Sequence, residues 1–249
     1  MAITKRIAIS LAVLAAALAV AACDDDDDET AGSDLPQGSE PVDLDPAEFT
    51  TEIDNPYWPM EPGSKWVYLE SDREGTLQRV DVTVTNKTKR IANGIEARVV
   101  HDVVKEDRVP VEITADWYAQ DSEGNIWYMG EDTAELENGK VVSRAGSFEA
   151  GVDGAQPGII MPADPEVGQA YRQEHYEGKA EDEGAVLSLD AQAQVPAGHF
   201  PHTLMTQDTN PLEPKVYELK FYARDVGPVL AVSVSGGTDR EELLSYKKG

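Results

Sequence analysis

The sequence predicts a mainly β domain, with antiparallel strands in a curved open sheet or an incomplete barrel. Three observations carry that reading. Apolar and polar residues alternate with period 2 through most of residues 49–249. Turn-forming Gly, Asn, Pro and Ser residues fall between the alternating runs. No window gives a convincing amphipathic helix, and a short helix near Pro46 to Phe49 or in Asp132 to Glu137 is the most the pattern allows.

Taken in order, Pro62-Gly63 precedes a strand from Lys65 to Glu70. In Arg79 to Thr85 the valines alternate with polar residues, and Asn93-Gly94 turns the chain into Ile95, Ala97 and Val99. By the same alternation His101 shares that face and is expected inward. Ser122 to Asn125 links Ile113–Ala119 to Ile126–Met129, and Asn138-Gly139 precedes Val141-Val142. Ala185 to Val195 places its alanines and leucines on one face, while Tyr217, Leu219 and Phe221 alternate with Glu218 and Lys220. A strand at Val229 to Val234 follows, and Gly236-Gly237 precedes the last one. One segment breaks the pattern. Residues 144–168 are rich in Gly and Pro, and are expected as a long loop packed across the sheet through Ile159-Ile160-Met161.

The N-terminus has a different character. Lys5 and Arg6 precede 16 uncharged residues, Ile7 to Ala22, shorter than the roughly 20 needed to span a bilayer. A basic start, a short apolar run and a small-residue exit read as a signal peptide over residues 1–22. The run ends Val20-Ala21-Ala22-Cys23, and Cys23 is the chain's one cysteine. This resembles the bacterial lipobox. The resemblance implies a diacylglyceryl thioether on Cys23, cleavage just before it, and a further acyl chain such as palmitate on the new amino group. Two or more chains give stable anchoring. Residues 24–48 then hold 11 acidic residues and no Lys or Arg, so 23–48 is expected as a lipidated cysteine followed by an acidic, disordered tether. The remaining 49–249 form the β-rich domain. An aspartate directly after the cysteine resembles an inner-membrane retention signal. It implies the extracytoplasmic face of the cell membrane, on the periplasmic side in an organism with two membranes.

Charge and composition exclude several classes. The 249 residues carry a net charge of −26, and 36 acidic and 19 basic residues fall in 49–249, a net −17. Nothing offsets repulsion from phosphates, so nucleic acid is not a partner. One cysteine excludes a disulfide scaffold or a four-cysteine zinc site.

Several segments together look familiar: IDNPYWPMEPGSKWVY at 53–68, DWYAQDSEGNIWYMGEDTAE at 116–135, AGVDGAQPGIIMP at 150–162, YRQEHYEGKAED at 171–182, PLEP at 211–214 and KFYARDVGPV at 220–229. They resemble a family of secreted bacterial lipoproteins of uncharacterised function. The resemblance implies export and a single β-rich domain, and it brings no catalytic residue.

Candidate chemistry is sparse. No G-x-S-x-G elbow, P-loop or GxGxxG occurs. His199 and His202 form an HxxH on a Pro-interrupted segment that Asp208 or Glu213 could join, and His175 stands beside Glu174. Trp58, Trp66, Trp117 and Trp127 accompany Tyr57, Tyr68, Tyr118 and Tyr128, either closing a core or lining a cleft for an apolar or sugar-like ligand. Asp121, Glu123 and Asn125 in a turn, with Glu131, Asp132 and Glu135 after it, offer oxygen ligands for a divalent cation such as calcium. The leading expectation is therefore a non-catalytic domain, bound to the membrane through lipid on Cys23, that takes a small-molecule or protein partner in the envelope. The alternative is an envelope hydrolase using carboxylates from 131–137 and 174–182.

Overall fold

The structure is a computed structural model and describes residues 35–249. The expected signal peptide, Cys23 and the first part of the tether lie outside the described residues. One 3-10 turn, Pro46–Glu48, leads into the strands. These are β1 (Phe49–Thr50), β2 (Lys65–Ser71), β3 (Leu77–Arg90), β4 (Glu96–Glu106), β5 (Val109–Asp121), β6 (Ile126–Glu137), β7 (Lys140–Ser143) and β8 (Phe148–Glu149). There follow β9 (Gln156–Met161), β10 (Ala170–Arg172), β11 (Glu174–His175), β12 (Glu183–Val195), β13 (Gly198–Thr209), β14 (Tyr217–Ala223), β15 (Gly227–Ser235) and β16 (Arg240–Lys247). No α-helix occurs among the described residues.

Every pairing is antiparallel, and the sheet runs β10-β12-β13-β14-β15-β16-β2-β3-β4-β5-β6-β9-β11. Its two end strands are neighbours in the chain, separated only by Gln173. A single bent stretch, 170–175, therefore pairs with β12 through its first half and with β9 through its second. The sheet is thus a nearly closed barrel with one unsealed seam, between β10 and β9. Register shifts interrupt eight of the pairings, including β3·β4, β5·β6 and β12·β13. Such irregularities bend and twist strands, which a sheet curling onto itself requires.

The seam is narrow because Gly158 of β9 lies against the backbone of 172–173, where a Cβ would come within 2.3 Å of the Arg172 carbonyl oxygen. Arg172 spans the gap. Its Nη2 donates to Pro157 O (2.8 Å), and its Nη1 donates to Gly38 O (2.9 Å) and Glu40 O (2.6 Å). Residues 35–40 run along the free edge of β10: Arg172 N donates to Pro36 O (2.7 Å) and Gln37 Nε2 donates to Ala170 O (2.6 Å).

Three sequence expectations change here. Residues 35–48 belong to the acidic stretch but are laid on the domain, where Leu35, Val42 and Leu44 pack against the core. Net charge hid those three apolar anchors. The expected loop at 144–168 contains β8 and β9, and β9 is a wall strand with Ile159 and Met161 fully buried. It does not alternate because both of its faces are covered. Asp132 to Glu137 is strand, in β6.

One barrel end is filled by residues 53–60, which enter before β2. Asn55 Nδ2 donates to Gly124 O and Pro162 O (both 3.0 Å), and the Asp54 and Asn55 amides donate to Gln120 Oε1. Trp58 projects between opposite walls, 5.7 Å from the Tyr118 ring and 5.9 Å from that of Tyr222. Gly227 (φ +103°) makes room for it, since a Cβ there would stand 3.0 Å from Trp58 Cδ1.

Candidate functional site

Above this plug the barrel encloses a cavity of about 190 Å3. Strand alternation determines what faces it. On β2 these are Trp66 and Tyr68, on β4 Val100 and Asp102, on β5 Asp116 and Tyr118, and on β14 Lys220 and Tyr222. The register makes one surface of them. Val100 lies opposite Asp116, Val82 opposite Asp102, and Ala231 of β15 stands between Lys220 and Glu241. Trp58 and Ile160 complete the lining. The end of the cavity near the plug is apolar and aromatic. Trp66 Nε1 donates to Val226 O (2.7 Å) and the Tyr68 hydroxyl to Pro228 O (3.0 Å), so both rings are held in place.

The rest of the lumen is acidic, and its carboxylates are surrounded by protein. Burial, followed by repulsion from Glu241, Glu112, Glu70 and Asp81, pushes the Asp102 carboxyl up to about 8. Burial, then Glu70, raises Glu241 to about 7. Asp116 is held well above the carboxylate range by burial and by Glu131. The Tyr128 hydroxyl lies 2.9 Å from Asp116 Oδ1 and 2.7 Å from Glu131 Oε2. A hydroxyl has one hydrogen to donate, so one of those two carboxyls must itself carry a proton to keep both bonds. Bond geometry and burial therefore agree.

Lys220 is the cation of the cavity. Burial favours its neutral form, but Asp208 and Glu218 outweigh that and hold it protonated. Its Nζ lies 2.6 Å from Asp208 Oδ2 and 3.5 Å from Glu218 Oε2. Asp102 is differently placed: its Oδ1 is fully enclosed and has no hydrogen-bond partner.

The six residues expected to bind a cation are not brought together. Asp121 Oδ1 accepts the Glu123 and Asn125 amides, and its Oδ2 accepts Asn125 Nδ2 and Trp127 Nε1 (2.7 Å), a self-contained turn. Glu131 begins five residues along β6 from Ile126, about 17 Å at strand rise, and faces the lumen beside Asp116. Asp132 is exposed and pairs with Arg144. Glu135 lies opposite Glu112 farther along β6. Among the described residues no three His, Cys, Asp or Glu side chains converge as a metal would need.

His199 and His202 are exposed on β13, and His202 pairs with Asp190. Asp208 lies inside with Lys220, so it does not join them. His101, expected inward, lies on the opposite face of β4 from Val100 and Asp102, the pair that line the cavity. Both faces of β4 near Val99-Val100 are apolar and buried, so alternation could not choose between them. Of the tryptophans, Trp58 and Trp66 line the cavity. Trp117 stands outside under Lys89 (4.4 Å), and Trp127 packs on Phe49. Of the carboxylates named for a hydrolase, Glu131, Glu174 and Asp182 act on one another: burial, then Asp182 and Glu131, raises Glu174 to about 9. Sequence reasoning missed Asp102, Asp116, Lys220 and Glu241. The available signal was weak: of the four, only Lys220 has a charged residue two places along its strand, Glu218, whereas Asp102, Asp116 and Glu241 have none.

A wider groove of about 430 Å3, more open to solvent, lies along Leu77, Arg79, Lys105 and Arg108. Arg79 and Lys105 are already paired with Asp81, both at 2.8 Å. The enclosed lumen is the stronger candidate.

No protein-family model matches the chain, and no curated protein matches it. Among solved structures it is similar to a protein described as a "putative lipoprotein" from Parabacteroides distasonis ATCC 8503, at 14% identity and a TM-score of 0.43. That similarity covers 77% of this chain and 98% of the other. Among the described residues no helix is long and apolar enough to cross a membrane.

Proposed function

We propose that the chain is a lipid-anchored, extracytoplasmic binding protein whose barrel lumen holds a small ligand. One observation carries the binding half: a cavity inside the barrel, aromatic at one end and acidic at the other, lined by residues from strands on opposite walls. The anchoring half rests on Val20-Ala21-Ala22-Cys23. The acidic tether would hold the domain away from anionic headgroups.

Trp58 and Trp66 make the cavity readable by fluorescence. Native mass spectrometry of the purified protein should reveal a co-purifying small molecule, and adding it back to stripped protein should change tryptophan emission. Val100→Phe fills the cavity and should abolish that change. Undiminished binding by the filled variant would refute the lumen as the site. Turnover of a glycoside or ester that Glu174→Gln abolishes would establish the hydrolase reading instead.

A further inference from the structure

We propose that the ligand is a small organic cation, a protonated amine or quaternary ammonium on a compact apolar body. This rests on the lumen being a binding site and names the chemistry it accepts. Three lining carboxylates, Asp102, Asp116 and Glu241, face the same space. Lys220 offsets Glu241 only in part, because Asp208 and Glu218 already hold its ammonium. An anion would oppose their ionisation further, and a neutral ligand would leave them protonated, whereas a cation supplies the counter-charge that lets them ionise.

The aromatic end selects among cations. Trp66, Tyr68, Tyr118 and Tyr222 bring π-rich rings to the same cavity, the setting in which desolvated cation–π attraction is strongest. A bare metal ion gains little there, and the three carboxylates lie on β4, β5 and β16 rather than in one coordination sphere. Size is limited as well. About 190 Å3 is below the roughly 300–1,000 Å3 of drug-sized ligand pockets, which suits a choline-sized cation better than a lipid.

The surroundings reinforce the sign. Antiparallel register places the turns after β2, β4, β6, β13 and β15 at the barrel end opposite the plug. These carry Asp72, Glu74, Asp107, Glu213 and Asp239 against Arg73, Arg108 and Lys215, a rim of net −2 that mildly favours cations. Because burial keeps Asp102 and Glu241 partly protonated near neutral pH, a cation that ionises them releases protons, and its affinity rises with pH.

The test uses the full-length protein in detergent, with tryptophan emission and calorimetry as readouts. The probes are choline, its uncharged carbon isostere 3,3-dimethylbutanol, benzylamine, benzyl alcohol and benzoate. Each cation should bind at least about tenfold tighter than its neutral counterpart, benzoate should not bind, and uptake should release protons. Asp102→Asn should weaken cation binding about tenfold or more, and Glu241→Gln should do the same; melting curves verify that both fold. Equal or tighter binding of the neutral isosteres or benzoate would overturn the inference. So would unchanged cation affinity in both variants, or no binding of any cation at millimolar concentration. A neutral or anionic molecule co-purifying in the lumen would overturn the cation assignment while leaving the lumen as a binding site.

Discussion

Replacing Asp102 with asparagine removes an ionisable group with almost no change of shape, and the structure gives the sign of its effect on stability. In an unfolded chain an aspartate titrates near 3.9. Inside the barrel, burial and then Glu241 push Asp102 up to about 8. Between those values the native state keeps a proton that the unfolded state has released. Stability therefore falls as pH rises, by about 1.4 kcal/mol per pH unit for one such group. The penalty is absent below about pH 4 and complete above about pH 8. Glu174 and Glu241 act in the same direction, towards about 9 and about 7. Wild type should thus unfold more readily at neutral than at mildly acidic pH. Asp102→Asn should flatten that dependence, gaining about 2–3 kcal/mol on wild type between about pH 5 and 7. Urea denaturation at fixed ionic strength, repeated across that range, measures both slopes. Parallel slopes for the two proteins would refute the enclosed, protonated Asp102.

Other perturbations have equally definite outcomes. Cys23→Ser removes the thiol that the lipobox resemblance implicates, so in a partitioning assay the variant should either remain unprocessed or appear as a soluble form without lipid. Equal partitioning with normal cleavage would remove the lipoprotein reading. Gly158→Ala forces a methyl against the Arg172 carbonyl and should cost about 1–3 kcal/mol in thermal unfolding by prising the seam. Arg172→Met strips the charged bonds that join β9, β10 and residues 38–40, and should cost about 2–4 kcal/mol and expose 35–42 to protease. Trp58→Ala empties the space between Tyr118 and Tyr222 and should cost about 2–4 kcal/mol in urea unfolding.

The wall of the barrel was legible because alternation and turn chemistry are local. Val80, Val82 and Val84 point inward as their spacing predicts, and Asn93-Gly94, Ser122 to Asn125 and Asn138-Gly139 turn the chain between paired strands. The seam was not legible. It depends on Gly158 meeting residues 172–173 and on Arg172 reaching carbonyls more than a hundred positions earlier, and no local pattern encodes either contact. β12 shows a subtler limit. The six apolar residues from Ala185 to Val195 look like one face, but register shifts between Val186 and Ala193 change its phase. Val186 is consequently buried while Leu189 is largely exposed.

The acidic lumen was hidden by a rule that is sound for most sheets, that the apolar face is the inner one. On β14 the rule assigns Tyr217, Leu219 and Phe221 to the interior and Glu218 and Lys220 to water. In the structure Lys220 and Tyr222 line the cavity, and Leu219 and Phe221 stand on the other face. A barrel wide enough to enclose space can turn its charged face inward, where the groups satisfy one another and whatever enters. Composition could not reveal this, because in a domain of net −17 an acidic residue on a strand reads as ordinary solvated surface. What separates lumen from surface is pairing across the barrel. Tyr222 on β14 acts on Tyr68 of β2 and Tyr118 of β5, and Glu241 of β16 acts on Asp102 of β4. Those relations between distant strands exist only once β16 has paired with β2, because that pairing joins the two halves of the wall around a shared interior.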